Sequence, residues 1–458
     1  MSTLKSARPE VRSTAARPTT PATAAGPALA SATPATVAPA PAQSASPAVR
    51  PAYRERSFVR LLIGEGASTV GDQVWYVALS WAAVRSGGPA SAGAVMTASA
   101  IPRMLLLLFA GPLADRFDAR RLMLGSDAAR AVLMLGAAAL AVLHPGVGML
   151  VTVSLLLGAI DALFLPAAGS VRPRLLETDQ LPQAAALREL ALRGALVAGA
   201  PLGGLLIAGG GFRWACAVNA LSFAVSMVAV WGIRPRPLPV ESAAADAAAA
   251  PRTPYLRSLR DGLTAIGRNR VVGALLLVGL LTNLGFVGPM NVGLALLSDQ
   301  RGWGAGGIGL LLAAFGIGAA VGAAVMLRWK VTRRIGVVVA VAVLAQAASL
   351  AAMAVLPALA LSVTAAALVG VAGAVVGVSC GALGQARTPD ELRGRISSVQ
   401  TLLSLGVVPL AVAGTGVLAA AIGTVPALLA SAGLEVLAAV PCLLVGALRT
   451  ARLAGDAA

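Results

Sequence analysis

From residue 58 onward, apolar residues come in long runs separated by short polar knots. The runs fall at about 58–84, 91–112, 122–143, 147–169, 183–209, 213–233, 271–297, 305–327, 335–355, 358–384, 396–420 and 424–447. A helix rises 1.5 Å per residue, so about 20 apolar residues cross a ~30 Å hydrocarbon core. In lipid every backbone N–H and C=O must be satisfied internally, which leaves helices or a closed barrel. The runs are rich in Ala, Leu and Gly and do not alternate with period two, so the pattern predicts helices. The expected fold class is an all-α membrane protein with 12 transmembrane helices.

The polar segments divide this series. Residues 1–56 are a low-complexity Ala/Pro/Thr/Ser stretch with no uninterrupted apolar core of the signal-peptide kind. They are expected to form a disordered cytoplasmic tail. Residues 234–270 contain Pro235, Pro237, Pro239, Pro251 and Pro254 among arginines, and form the longest connection between runs. This basic linker separates an N-terminal six-helix half, 57–233, from a C-terminal six-helix half, 271–448, with a short cytoplasmic tail at 449–458. A weak repeat supports the division: Thr178-Asp-Gln-Leu-Pro-Gln183 precedes the fifth run and Thr388-Pro-Asp-Glu-Leu-Arg393 the eleventh.

Composition sharpens the picture. Of 458 residues, 57% are hydrophobic and 12% charged, about half the charged share of a soluble domain. A net charge of +17 would suggest nucleic acid in a soluble chain. Here the Lys and Arg residues gather in alternate connecting segments, and only Arg85, Arg213 and Arg301 lie on the other side. That asymmetry is the positive-inside rule. It places both termini in the cytoplasm and makes anionic membrane lipids, not nucleic acid, the partner of the basic segments. Cys216, Cys380, Cys442 and the single His144 are scattered, so no metal site, cofactor or disulfide is expected. No phosphate-binding G-x-x-x-x-G-K-[ST] loop occurs, and no nucleophile has a matching base, so an ATP-driven pump and an enzyme are both disfavoured. The preference for Arg over Lys, with abundant Ala, points to a bacterial chain.

Ionisable residues inside apolar runs are costly and therefore informative. The first six runs hold Arg60, Arg103, Arg130, Arg188, Arg193, Glu65, Asp72, Asp127, Asp161 and Glu189; the last six hold essentially Glu435. Arg60 can snorkel to the surface, Asp127 and Arg130 are spaced to pair with each other, and Arg188 and Arg193 lie near a helix end. These read as structural or topological. Glu65 and Asp72 are two turns apart on one face, about 10 Å along the axis. Arg103 lies at a similar depth in the next run, so Glu65, Asp72, Arg103 and Asp161 are expected to serve proton and substrate coupling through an Asp72–Arg103 pair, the alternative being a static salt bridge between helices. Asn283 and Asn291 are expected to line a polar part of the cavity or to bond neighbouring helices. Such a cavity suits an amphipathic organic molecule.

Three motifs resemble one family. Gly111-x-Leu113-Ala114-Asp115-Arg116-x-x-x-Arg120 is similar to the loop between the second and third helices of major facilitator superfamily transporters, with departures at Asp118 and Ala119. Gly199-Ala-Pro201-Leu-Gly203-Gly204 resembles the span-five motif of exporters in that family. Val70-Gly71-Asp72-Gln73, Leu79-Ser80-Trp81 and Gly285-Phe-Val-Gly-Pro-Met290 look like its enterobactin-exporter and macrolide-efflux-like branch. The resemblance implies the major facilitator fold, with a small-molecule substrate held between two halves. It implies a cytoplasmic latch at Gly111, Asp115, Arg116 and Arg120, whose anion faces the start of the eleventh span. It also implies a kinked, closely packed fifth span at Pro201, Gly203 and Gly204. The arginine motif common in span four of proton antiporters is absent; only Asp161 stands there. The expected function is proton-coupled export of small amphipathic molecules by a monomeric antiporter in the bacterial plasma membrane. An importer of the same fold and a non-transporting sensor or scaffold are the alternatives.

Overall fold

The computed structural model describes residues 51–106, 118–143, 146–235, 264, 266–267, 269–329, 334–388 and 390–451. Among these residues all regular structure is helical. The long helices are α1 (Arg56–Ala98), α2 (Ala119–Leu143), α3 (Val147–Val171), α4 (Leu181–Gly210), α5 (Phe212–Trp231) and α6 (Arg270–Gly288). A π turn (Pro289–Gly293) and α7 (Leu294–Gln300) extend α6. Then come α8 (Gly304–Arg328), α9 (Ile335–Val355), α10 (Leu359–Arg387), α11 (Asp390–Ile422), α12 (Thr424–Leu444) and the short α13 (Gly446–Arg449).

The polar knots of the sequence become the breaks between these helices. Within α1 the backbone leaves helical geometry at Gly88, with φ 72° and ψ −165°. A side chain would be strained there, and Pro89 restarts the helix with its fixed φ and missing N–H. Gly88 therefore divides the apolar runs 58–84 and 91–112, and helix resumes at 100–106 after a turn at Ser99. Gly211 (φ 75°) and Gly423 (φ 93°) make the corresponding sharp breaks before α5 and α12. Pro289 offers no N–H to Gly285, and the backbone there widens from α to π spacing.

Nine stretches among the described residues are long and apolar enough to cross a membrane: α2, α3 with its 3₁₀ extension, α4, α5, 270–300, α8, α9, α10 and α12. Gly406–Ile422 of α11 is a shorter apolar segment. The N-terminal limb of α1 carries Arg60, Glu65 and Asp72 inside its apolar sequence and is not among these nine.

Both ends of the bundle can be told apart by their contacts. The distal end carries the Gly88 turn. There Arg85 pairs with Asp299 at 3.3 Å, Arg301 Nη2 donates to the Ala354 carbonyl at 2.5 Å, and Gly93 and Gly416 bring α1 and α11 into backbone contact. The proximal end holds residues 51–56 and 449–451. There the Ala52 N–H donates to Gln183 Oε1 at 2.7 Å, Arg60 Nη1 donates to the Gly232 carbonyl at 2.5 Å, and the Ile335 N–H donates to the Ala451 carbonyl at 3.2 Å.

The apolar core follows the same division. One large cluster joins N- and C-terminal helices, with Trp75, Val84, Met96, Phe223, Leu294, Leu311, Leu350 and Leu428 among its members. Two further clusters are separate from each other. One is wholly N-terminal, around Phe58, Leu61, Met123, Phe164 and Ile233. The other is wholly C-terminal, around Val278, Ile335, Val343, Ala438 and Leu448. The sequences are thus fused into one core toward the distal end and parted toward the proximal end.

Candidate functional site: a charge cluster inside the N-terminal helices

Glu65, Ser68, Thr69 and Asp72 recur at helical spacing, so they share one face of α1. That face borders a cavity of about 200 Å³, lined as well by Arg103, by Arg130 of α2, by Asp161, Phe164, Leu165 and Ala168 of α3, by Arg172, and by Arg188 and Leu192 of α4. Three carboxylates and four guanidinium groups therefore meet in one pocket. Asp127, just behind Arg130, supplies a fourth carboxylate, so the charges balance.

Arg130 is the hub. It is 3% exposed, and its Nη2 donates to Asp127 Oδ1 at 2.5 Å while its Nη1 reaches Asp161 Oδ1 at 3.3 Å. Ser226 Oγ of α5 donates to the other oxygen of Asp127 at 2.7 Å. The guanidinium lies between two rings, 4.2 Å from the Phe164 centroid and 4.4 Å from that of Phe223. A planar, weakly hydrated guanidinium suits this stacked and forked setting, which an ammonium would not fill. Asp161 has a second partner, Arg103 Nη2 at 2.5 Å. Glu65, 6% exposed, is held by Arg188 Nε at 2.6 Å and Arg172 Nε at 3.3 Å.

Asp72 is the carboxylate the network leaves over. It borders the same cavity, is half-buried, and makes no ion pair within 4.0 Å among the described residues. Two donors, Arg103 Nε and Arg130 Nε, are buried without an acceptor, and so is the hydroxyl of Tyr76, one turn beyond Asp72. The pocket thus combines a spare acceptor with spare donors, the ingredients of an exchange of partners.

The expected Asp72–Arg103 pair is not the one formed. Asp161 takes Arg103 instead, standing between Arg103 and Arg130 and pairing with both, while Asp127 supplies the second negative charge. The expected Asp127–Arg130 pair is present. The sequence reading missed the role of Arg130 and the presence of Arg172. The i,i+3 spacing of Asp161 and Phe164, which puts an acid and a ring on one face, was the available signal. Of the loop residues, Gly111, Asp115 and Arg116 lie outside the described residues. Arg120 opens α2 and caps the end of α5: its Nε donates to the Val230 carbonyl at 3.3 Å, and its Nη2 donates to the Trp231 carbonyl. A cation is favoured at those unsatisfied helix-end carbonyls.

The Pro201 region of α4 is a packing crossroads. A Cβ on Gly203 would lie 3.1 Å from Val74 and Val77 of α1, and one on Gly204 would lie 2.8 Å from the Ala305 carbonyl of α8. In return, Gly309 of α8 packs on the Ala200 carbonyl and Pro201. These glycines let three helices touch at backbone distance.

A second cavity, about 540 Å³, lies among α6, α10 and α11. Its wall is apolar apart from Asn283, Gln385, Thr388, Gln400 and Cys380. Asn283 Nδ2 donates to the Gly279 carbonyl of its own helix at 2.7 Å. Asn291 is not part of that wall; its Nδ2 donates to the Val287 carbonyl at 2.8 Å within the π-turn region. Among the described residues no three His, Cys, Asp or Glu side chains gather to hold a metal ion.

Membrane-length helices packed around a buried, balanced charge cluster define a multi-pass membrane protein. The profile of the Major Facilitator Superfamily matches residues 61–412, and the chain belongs to that family. The enterobactin exporter EntS of Shigella boydii is 27% identical over 64% of this chain and 68% of its own length. Its Escherichia coli counterpart is 26% identical over the same shares. A bacterial homologue of the lysosomal transporter Spinster, in an inward-facing and occupied conformation, superposes with TM-score 0.68 at 14% identity, covering 86% of this chain and 97% of that one. A bacterial homologue of the iron transporter ferroportin, inward-facing, gives TM-score 0.65 at 15% identity over 84% and 98%. At such identities the two structures share the fold alone.

Proposed function

We propose that this protein is a proton-coupled exporter of small amphipathic molecules of the drug, antibiotic or siderophore type, working by alternating access between two six-helix halves, 57–233 and 271–448. The observation that carries the reading is Asp72: a carboxylate without an ion pair, at membrane depth, beside guanidinium groups whose Nε atoms also lack partners. Protonation of Asp72 leaves the Asp161–Arg103 and Asp161–Arg130 pairs intact. Ionised Asp72 competes with Asp161 for Arg103 and Arg130, and moving a guanidinium between the two acids shifts α1 against α3. A proton thereby biases a two-state element, as coupling requires.

Other observations fit this scheme. The distal end is closed by a core common to both halves, whereas the proximal clusters are separate, the arrangement of a transporter open on the proximal side. The positive-inside distribution makes that side the cytoplasm, with both termini there. A largely apolar 540 Å³ cavity in a molecule with a separate charged N-terminal pocket suits an amphipathic cargo, and similarity to an enterobactin exporter favours outward transport. In this reading the 111–120 loop latches the cytoplasmic side, the protein functions as a monomer, and its basic segments meet anionic lipids.

The test is flux in proteoliposomes of the purified protein with fluorescent dyes and catecholate siderophores. An imposed inward proton gradient should drive substrate out, and Asp72→Asn should lower that rate at least tenfold at unchanged expression. Wild-type gradient-driven rates in Asp72→Asn would remove the coupling assignment. Accumulation in the opposite direction would leave an importer of the same fold.

A further inference from the structure

The C-terminal helices bury one carboxylate that the scheme above does not use. Glu435 of α12 is fully buried. Its Oε1 accepts a hydrogen bond from Gln346 Nε2 of α9 at 3.2 Å. Glu435 Oε2 is buried with no partner, and so is Oε1 of Gln346, itself 2% exposed. Glu435 lies against α6 as well, where a Cβ on Gly285 would come within 2.7 Å of its Cγ. Thr282, one turn earlier on α6, also has a buried hydroxyl without a partner.

Among the described residues no opposite charge neutralises this acid. Helix α9 has no titratable residue. The only one on α6 is Arg270, at its proximal end. On α11 the titratable residues of the sequence are confined to positions 390–395, in its first two turns. Asp299 of α7 is at the distal end with Arg85. Cys442 is two turns away on α12 itself, and Arg449 lies beyond it on α13. An ionised carboxylate placed so would be a buried charge without a counter-ion, which is strongly disfavoured in an apolar interior.

Two stranded acceptors sit on side chains that already touch through their other atoms. A single hydrogen satisfies both. If Glu435 carries it on Oε2 and donates to Gln346 Oε1, the two side chains close an acid–amide pair with two antiparallel hydrogen bonds. We propose that Glu435 is a proton-binding site of the C-terminal helices, occupied as the neutral acid paired with Gln346 and emptied when α6 parts from α12 and water enters.

The exchange is simple: the carboxylate takes a proton from water and returns it to water. What the geometry adds is coupling to a helix. The ionised form needs hydration, water reaches Oε2 only by separating the helices that bury it, and Gly285 is their point of contact one turn before the Pro289–Gly293 π turn. Proton release at Glu435 and movement of the α6 wall, which carries Asn283, are therefore one event. The site stands apart from Asp72 and does not depend on the direction of transport or on the cargo. A sodium ion fits less well, because it needs a cage of several oxygens and the pair itself offers two free ones, Glu435 Oε2 and Gln346 Oε1.

The experiment is infrared difference spectroscopy of the full-length protein in liposomes. At neutral pH the wild type should show the carbonyl stretch of a protonated, hydrogen-bonded carboxyl group. Glu435→Gln should lose that band, Asp72→Asn should keep it, and Gln346→Met should shift it toward the frequency of an unbonded acid. Glu435→Gln keeps the shape of the neutral acid and should unfold within a few degrees of wild type. If it fails to fold, the Gln346→Met shift alone decides. Absence of any band lost in Glu435→Gln or shifted in Gln346→Met overturns the proposal. So does a melting temperature that rises with sodium over potassium in the wild type but not in Glu435→Gln, which marks a cation site. Neither readout needs flux, so this proposal and the exporter reading can fail separately.

Discussion

Arg130 and Asp72 occupy one cavity but do different jobs, and single substitutions should separate them. Arg130 is paired on both sides and stacked between rings. Replacing it by Met leaves Asp127 buried without its cation, a loss of about 3–5 kcal/mol for a buried pair. Arg130→Met should therefore lower the thermal midpoint strongly, and Arg130→Lys should recover only part of it, since an ammonium cannot reach two acids and two rings at once. Asp72→Asn breaks no ion pair, so its midpoint should stay within a few degrees while gradient-driven flux collapses. Unfolding followed by tryptophan fluorescence in detergent, set beside flux, distinguishes the two classes. The sequence made the charges visible and their cost predictable, but not their partners. Seven charged residues lining one cavity admit many pairings, and only the rotation of α3 about its axis gives Asp161 to Arg103 and leaves Asp72 over. Rotation is set by packing at glycines and rings that periodicity alone does not resolve.

At the scale of the helices, close packing explains why certain glycines resist any side chain. Gly204→Ala would drive a methyl group into the Ala305 carbonyl, which cannot rotate away, and overpacking of this kind costs about 1–3 kcal/mol. Gly194 on the same helix has nothing within 4 Å of its Cβ position, so Gly194→Ala should be neutral or stabilising by about 0.5–1 kcal/mol through helix propensity alone. Melting temperatures of the two variants, measured side by side, check the contrast. Helix ends were the most legible part of the chain. Gly88, Gly211 and Gly423 stand where apolar runs part, and the structure breaks there with positive φ. The π turn was not legible: whether a proline such as Pro289 bends or widens a helix depends on what packs beside it, here Thr415 and Ala411 of α11 against Gly288. It also separates Asn291 from the cavity wall that holds Asn283.

For the whole molecule, the distal closure makes a direct prediction. Arg85 and Asp299 are exposed enough to be modified, and they join α1 to the end of α7. In an Arg85→Cys/Asp299→Cys variant, a short bifunctional thiol reagent should cross-link the pair and abolish flux, and a cleavable linker should restore it on reduction. Cross-linking without loss of flux would show that the distal end need not open. The division of the chain into two halves was suggested by a linker and a faint repeat. The contacts add something the sequence could not: which end is fused, since that depends on the conformation captured and not on any one motif.

The fused distal core has a thermal consequence. In alternating access, parting Trp75, Val84 and Met96 from Leu294, Leu311 and Leu428 exposes apolar surface to the water of the opening vestibule. Exposure of apolar surface raises heat capacity. The equilibrium between the two states should then bend with temperature rather than follow a straight van't Hoff line. Transport limited by that step should fall away on cooling as well as at the hot extreme, giving a temperature optimum that is a property of this core and not of the cargo.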